Sequence, residues 1–240
     1  GPAGLEFARL AAAAGHEVTV YERAATTGGP AALVGPIGPL AAWLTDEATA
    51  AGATIKLTVT ITADNLPDAD TVVLCNGSRP NPGGYEVAGP TIMTPPAFPP
   101  ESGVVAIWDP IGGPIAVALA ERLGDRAVLI TPDQIAGNEL SRTGDLAPCN
   151  TRLAQRGVRI ERRSIVRRVE PGAVTVEDRF SGRLRRIDAE HFVDAGFRVP
   201  RDDLWEPTGR RLPRAGDAVA PRTVAEAVLE GRRLAIQLGR

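Results

Sequence analysis

Cysteine, lysine, methionine and aromatic side chains are all scarce in this 240-residue chain: two cysteines, one methionine, 4% aromatics, two histidines, and Lys56 as the one lysine against many arginines. Cys75 and Cys149 lie far apart with no C-x-x-C or C-x-x-x-x-C spacing, which excludes a redox-active dithiol and a four-thiolate iron-sulfur cluster held by this chain. Cys75 sits in an apolar run and reads as a small core residue. His16 marks a helix-to-strand turn and His191 opens a strand; neither has a nucleophile or acid partner legible nearby, so no general acid or base is assigned. A net charge of −2 excludes most nucleic-acid-binding readings. The arginine-rich run from Arg159 to Arg168 alternates with apolar residues and reads as a solvated strand face. No apolar run approaches the roughly eighteen residues of a membrane span, and no secretory leader is read, so the expected compartment is the cytoplasm. With 43% hydrophobic residues the chain can bury two modest cores.

What is present begins at the first residue. Gly1-Pro2-Ala3-Gly4-Leu5-Glu6 has the form of the end of a strand, G-x-G-x-x-G, helix turn, with Gly1 and Gly4 where its second and third glycines belong. The strand and first glycine that open such a turn precede nothing here, so the sequence reads as a fragment with its first strand missing. Leu5, Ala8, Leu10 and Ala12 then mark an apolar helix closed by Gly15. His16 to Glu22 reads as a strand ending in an acid, and Glu22 falls about eighteen residues after Gly4, near the spacing of a carboxylate that accepts from a ribose hydroxyl. Arg23 follows, and then Gly28-Gly29, a pair that lets a chain pass close to phosphates.

The same turn recurs. Val104 to Trp108 reads as a buried strand, followed by Asp109-Pro110-Ile111-Gly112-Gly113-Pro114-Ile115-Ala116 and a helix from Val117 to Leu123. Ile111 stands where the first glycine belongs. The next strand, Ala127 to Thr131, ends in Thr-Pro rather than an acid, which leaves the choice between NAD and NADP open, along with loss of nicotinamide binding.

A helix is expected from about Pro39 to Ala51, strands over Thr54–Ile61 and Val72–Cys75, a helix near Ala147–Gln155, a strand over Val158–Arg162, a hairpin from Ala173 to Ile187 turning at Ser181-Gly182, and a last strand over His191–Ala195. Proline-rich sequence from Arg79 to Pro100 reads as a crossing between domains. The chain is expected to return to the first domain between Val199 and Arg214. At the C-terminus, Gly216-Asp217 precedes Thr223 and a helix with Val224, Ala227, Val228, Gly231, Leu234 and Leu238 on one stripe.

Taken in order, the opening turn, Val20-Tyr21-Glu22-Arg23, Gly28-Gly29, Val72 to Pro80 with Gly77, Asp109-x-x-Gly112-Gly113, Leu129 to Pro132, and Gly216-Asp217 to Arg233 resemble the C-terminal half of the NADH:flavin oxidoreductase and 2,4-dienoyl-CoA reductase family, related to old yellow enzyme and trimethylamine dehydrogenase. The wording from Trp108 to Pro114 and from Gly137 to Asp145 is similar to its mycofactocin-associated branch. The resemblance implies an α/β fold of two Rossmann-like domains in a glutathione-reductase-like tandem. An FAD-binding domain (1–90 and 205–240) would hold an inserted NAD(P)-binding domain (91–204). It implies that Gly1, Ala3, Gly4, Glu22, Arg23, Gly28, Gly29, Gly77, Asp217 and Thr223 hold FAD, and that Asp109, Gly112, Gly113 and Thr131 face NAD(P)H. It further implies an N-terminal TIM barrel with FMN and a 4Fe-4S cluster, and no partnership with nucleic acid or membrane. Electrons would pass from NAD(P)H through FAD to the cluster and FMN, where an enoyl-type substrate is reduced. Pro30, where relatives often carry Gln, and Ile111 depart from the family pattern. A different reading of the same residues is a non-catalytic ADP-binding module.

Overall fold

The computed structural model describes every residue except Pro36, Pro96, Phe98, Arg210, Gly239 and Arg240. The chain divides into two compact units, Gly1–Arg79 with Arg198–Arg240, and Pro80–Phe197. The second is therefore inserted in the first, in a mixed α/β arrangement with parallel sheets.

In the first unit, α1 (Pro2–Ala13) leads to β1 (Thr19–Tyr21), and α2 (Gly38–Ala50) leads to β2 (Thr54–Lys56), which pairs parallel with β1. Alanine dominates the contact between the two helices: Ala8 and Ala12 of α1 bury with Ala48 and Ala53, and such small side chains let the elements approach closely. The expected strand over Val72–Cys75 is reduced to one bridge between Leu74 and Arg214, held by Leu74 N–H to Pro213 O and Ala215 N–H to Leu74 O. Strand-like composition formed no ladder there because only this one register finds a partner. β3 (Ser78–Pro80) pairs with β12 (Arg198–Pro200) where the chain leaves and re-enters the unit, and α5 (Val224–Leu238) closes it.

The boundaries lie earlier than the sequence pattern placed them. β4 (Glu86–Val87) pairs parallel with β8 (Ser164–Glu170), which draws Pro80–Pro90 into the second unit. The return falls at Arg198, whose strand pairs with β3.

The second unit is layered. β5 (Val105–Trp108), β6 (Ala127–Ile130), β7 (Arg159–Glu161) and β11 (His191–Asp194) form a parallel sheet in the order β11-β5-β6-β7. The connections β5 to β6 and β6 to β7 run through α3 (Pro114–Leu123) and α4 (Leu146–Gln155). Because side chains alternate across a strand, Val105, Ile107, Ala127 and Leu129 face these helices. Ala106, Trp108, Val128 and Ile130 face a second sheet built from β8, β9 (Ala173–Asp178) and β10 (Leu184–Asp188), where they meet Val166, Val169, Val174, Val176 and Ile187. Both faces of the parallel sheet are covered, which explains why its strands read as continuous apolar runs.

The run from Arg159 to Arg168 is not one strand. β7 ends at Glu161 and β8 begins at Ser164 in a different sheet, with Arg163 between them in the left-handed region at φ 54°. Ionic residues alternating with apolar ones matched the period of a strand, while the turn rests on pairing partners distant in sequence.

Candidate functional site: two glycine turns

The first turn gathers on the N-terminus of α1. That helix starts with proline in its first turn and has no side-chain cap and no acid within that turn, so the amides of its opening residues are left without acceptors from its own side chains. Gly4 packs against Cys75: a β-carbon at Gly4 would lie 3.1 Å from the Cys75 β-carbon, so any larger residue would have to push Cys75 aside. The Gly1 amino group lies 3.9 Å from Glu22 Oε2, and Glu22 Oε1 accepts the Ala24 N–H at 2.9 Å. Arg23 is exposed. Gly28 has φ 94° and packs where a β-carbon would meet those of Ala32 and Ala41 at 3.0 and 2.9 Å, and Gly29, exposed, passes beside the Gly1 backbone. These residues, from three separate stretches, surround one helix end.

On the other side of Ala3, Gly216 crosses so closely that a β-carbon there would lie 2.8 Å from that of Ala3. Its neighbour Asp217 accepts from the Ser78 hydroxyl at 2.8 Å, and Ser78 in turn accepts from Arg198 Nε at 2.8 Å, while Arg198 also donates to the Ser78 carbonyl. Burial, partly offset by the Asp217 charge, lowers the pKa of Arg198. Gly77 is half-buried; its carbonyl accepts from Arg201 N–H, and beside it Asn76 Oδ1 is buried without a partner. Thr223 is exposed and serves α5, exchanging hydrogen bonds with Glu226 in a capping box, so its hydroxyl is already used.

Three participants escaped sequence reading. Ser78 and Arg198 are 120 positions apart, and no local pattern connects them. Glu6, in the opening motif, is 1% exposed. It accepts from Arg9 and from Arg232 of α5, and although burial alone would raise its pKa, those hydrogen bonds outweigh it and hold the carboxyl below its ordinary value. The signal was a carboxylate on the buried face of an alanine-rich helix. Gly231 completes the contact, since a β-carbon there would fall 2.1 Å from the Ala3 carbonyl oxygen.

The second turn has the same form and different physics. The structure brings Asp109, Gly112, Gly113 and Thr131 together, all buried. They face one another. Asp109 Oδ1 accepts N–H groups from Gly112 at 2.8 Å, Ile111 at 3.3 Å and Gly113 at 3.4 Å, while its Oδ2 has no partner. These are the amides a pyrophosphate would use. Desolvation pushes the Asp109 carboxyl up to about 7, against the pull of the three amides and with a contribution from Asp133. The space alongside is filled as well. A β-carbon at Gly112 would lie 3.0 Å from Asn138 N and 3.1 Å from Asp133 Oδ2, and Glu139 N–H donates to the Gly112 carbonyl. Thr131 donates its N–H to Glu161 O and accepts the Asp133 N–H on its hydroxyl. In the first turn no side chain caps the helix's opening amides, whereas in the second an internal carboxylate has taken them.

Among the described residues, no group of three His, Cys, Asp or Glu is placed to hold a metal ion, and no helix is long and apolar enough to cross a membrane.

No family model matches the chain. A curated relative, a multifunctional alkene reductase/demethylase OYE of Caballeronia cordobensis, is 25% identical over 99% of this chain and 42% of its own length, so the chain spans less than half of that protein. Similar solved structures include histamine dehydrogenase from Rhizobium sp. 4-9 (23% identity, TM-score 0.84, all of this chain and 43% of that one). 2-Naphthoyl-CoA reductase follows the same pattern (18%, 0.82, 99% and 38%). Thioredoxin reductase of T. acidophilum is matched over nearly its whole length (15%, 0.72, 99% and 94%). The shared fold is the two-domain, Rossmann-type architecture of these nucleotide-dependent oxidoreductases.

Proposed function

We propose that this chain is the nucleotide-binding part of a flavin-dependent NAD(P)H oxidoreductase, with FAD held by its first unit. The observation that carries the reading is the uncapped N-terminus of α1, ringed by Gly1, Gly4, Glu22 and Gly29, with Asp217 beyond Ala3. The residues fit such a group. Backbone amides and the helix dipole suit a diphosphate, Glu22 suits a ribose hydroxyl, and the unpartnered Asn76 Oδ1 beside Gly77 lacks a donor that a ligand would bring. When bound, FAD supplies the hydride and electron chemistry, and the protein supplies position and electrostatics. Gly28 and Gly29 would let a diphosphate approach the backbone, and Asp217, held by Ser78 and through it Arg198, would accept from a polyol chain.

The reading extends to the whole protein, since the curated relative is more than twice as long as the matched stretch. Electrons from NAD(P)H would pass through FAD to a 4Fe-4S cluster and FMN in an N-terminal TIM barrel, acting in the cytoplasm on an enoyl-type substrate. NAD(P)H would reach the second glycine turn only if Asp109 released its amides.

A second reading, a non-catalytic ADP module, is favoured by one observation: Thr223 is spent on a helix cap and Asp217 already has Ser78 as a donor, and an ADP site would need neither. Reconstitution with FAD or ADP, read by flavin absorbance and calorimetry, separates the two. Bound FAD that bleaches on anaerobic addition of NADH or NADPH supports the electron-input role. Binding of ADP but not FAD moves the conclusion to the module, and Glu22→Gln should weaken either ligand about tenfold, the worth of a hydrogen bond to a charged group.

A further inference from the structure

Nucleotides in open parallel sheets bind beyond the carboxyl ends of the strands. In the second unit the carboxyl end of β5 is closed by Asp109, but those of β6 and β7 open elsewhere. Thr131 N–H joins Glu161 O and Arg163 N–H joins Asp133 O, so the two strand ends run side by side into a groove of about 800 Å³. That volume lies within the range of small-ligand pockets. The turn between β7 and β8 contributes Glu161, Arg162 and Arg163, and the hairpin between β9 and β10 contributes Asp178, Phe180, Ser181, Arg183 and Arg185.

The charges in this groove do not cancel. Arg163 pairs with Asp178 at 3.2 Å, and Arg185 pairs with the buried Glu161 at 2.8 Å while donating to Ser164. Asp178 is further occupied by the amides of Phe180 and Ser181, and Glu161 by Arg159. Both acids are therefore satisfied. Arg162 and Arg183, both exposed, meet no acceptor among the described residues, and they leave two uncompensated guanidinium groups on one concavity. Phe180 stands beside them at 66% exposure, with the Arg163 guanidinium 5.6 Å from its ring centroid. A large apolar ring kept in solvent on a rigid hairpin, next to planar donors that suit phosphate, has the composition of a base-stacking platform. The backbone is fixed to present it: Arg163 holds φ 54°, costly for a residue with a β-carbon, and both its N–H and its carbonyl are bonded, to Asp133 and Arg179.

We propose that this groove is a second nucleotide site, which binds a free phosphorylated nucleotide with its phosphates on Arg162 and Arg183 and its base on Phe180. The net charge of −2 favours a small ligand over a nucleic acid strand. The inference is independent of FAD in the first unit. It also separates the second unit from its glycine turn, because anion recognition there falls to side chains rather than to backbone amides.

The test is calorimetric titration of the whole chain with ADP and, separately, with pyrophosphate at low salt, in the wild type, Arg162→Ala/Arg183→Ala, Phe180→Ala and Glu22→Gln. All these positions are exposed or half-buried, and superimposable circular dichroism spectra establish that each variant is folded. The groove requires an ADP-binding component that persists in Glu22→Gln, weakens about 10- to 100-fold in the double arginine variant and about tenfold in Phe180→Ala. Pyrophosphate must bind more weakly than ADP. ADP binding left unchanged by the double arginine variant overturns the proposal, and equal affinity for pyrophosphate and ADP overturns its base-stacking half.

Discussion

Replacing Asp109 by Asn tests the central claim that an internal carboxylate occupies the second turn. Asparagine keeps an oxygen acceptor for the three amides and removes the charge. In the folded protein the Asp109 carboxyl is raised to about 7 by burial, against an ordinary value near 4 for an unfolded chain. The folded state therefore holds a proton that the unfolded state has released between these two values. Stability from this group is fully present below about pH 4 and is lost as pH rises through about 7. At pH 8 the wild type bears the whole penalty of an ionised buried carboxylate, on the order of 2–4 kcal/mol at about 1.4 kcal/mol per tenfold change in acidity. Asp109→Asn does not. At pH 4 the order reverses slightly, because the new amide N–H₂ replaces the unpartnered Oδ2 without gaining an acceptor, at about 1 kcal/mol. Urea unfolding followed by Trp108 fluorescence reports on the right region, since Trp108 is 6% exposed, adjoins Asp109 and is the second unit's sole tryptophan. Tryptophan-to-phenylalanine changes at Trp43 and Trp205 isolate its signal. The midpoint difference between variant and wild type should grow steadily from pH 4 to 8. Parallel profiles would falsify the argument, because they would mean that the three amides hold the carboxylate ionised at its ordinary pKa despite burial.

Two further substitutions probe the first unit. Gly231→Ala places a methyl 2.1 Å from the Ala3 carbonyl oxygen and should separate α5 from α1, destabilising the unit by roughly 3 kcal/mol; Gly35→Ala, with nothing within 4 Å, is the control that should leave thermal unfolding unchanged. Glu6→Gln should cost about 1–3 kcal/mol at pH 7 by weakening the bonds to Arg9 and Arg232. Because the Glu6 pKa is lowered in the fold, that loss should shrink as pH falls below about 4, a dependence opposite in sign to that of Asp109 and readable by urea unfolding carried below about pH 4 and followed by Trp43 fluorescence of the first unit.

Local rules reached much of this fold. The apolar spacing after Gly4 placed α1, and the runs Val104–Trp108 and Ala127–Thr131 placed β5 and β6 to within a residue at each end. The hairpin turning at Ser181-Gly182 was equally plain, because turn chemistry and strand period agreed there. What was not legible depends on pairing between distant segments. Val72–Cys75 has strand composition, yet meets only Arg214. The residues from Arg159 to Arg168 have strand period, yet belong to two sheets. At the candidate site, the motif pointed to Gly1, Gly4, Glu22 and Gly29, which the fold places about the start of α1. Ser78 with Arg198, and Glu6 with Arg232, arise only when segments distant in sequence meet.

Asp109 shows why a motif underdetermines chemistry. An acid just before a glycine turn has two physical uses, as a partner for a ligand hydroxyl or as a cap for the turn's own amides, and spacing is the same in both. Burial and the neighbouring loop decide between them. At Glu22 the carboxylate stands at a strand end, 20% exposed, and takes one amide, so the helix end it faces stays available. At Asp109 the carboxylate lies within hydrogen-bond reach of three amides and is shut in by Asp133 and Asn138. A phosphate could enter only by displacing a group of like charge that already occupies its place, and the loop from Asp133 to Glu139 would have to move as well. Repetition of the turn within one chain thus yields one helix end whose amides no side chain caps and one whose amides an internal carboxylate holds. A carboxylate bonded in this way ties the turn to α3 through Gly113 and helps to fix the second unit's architecture.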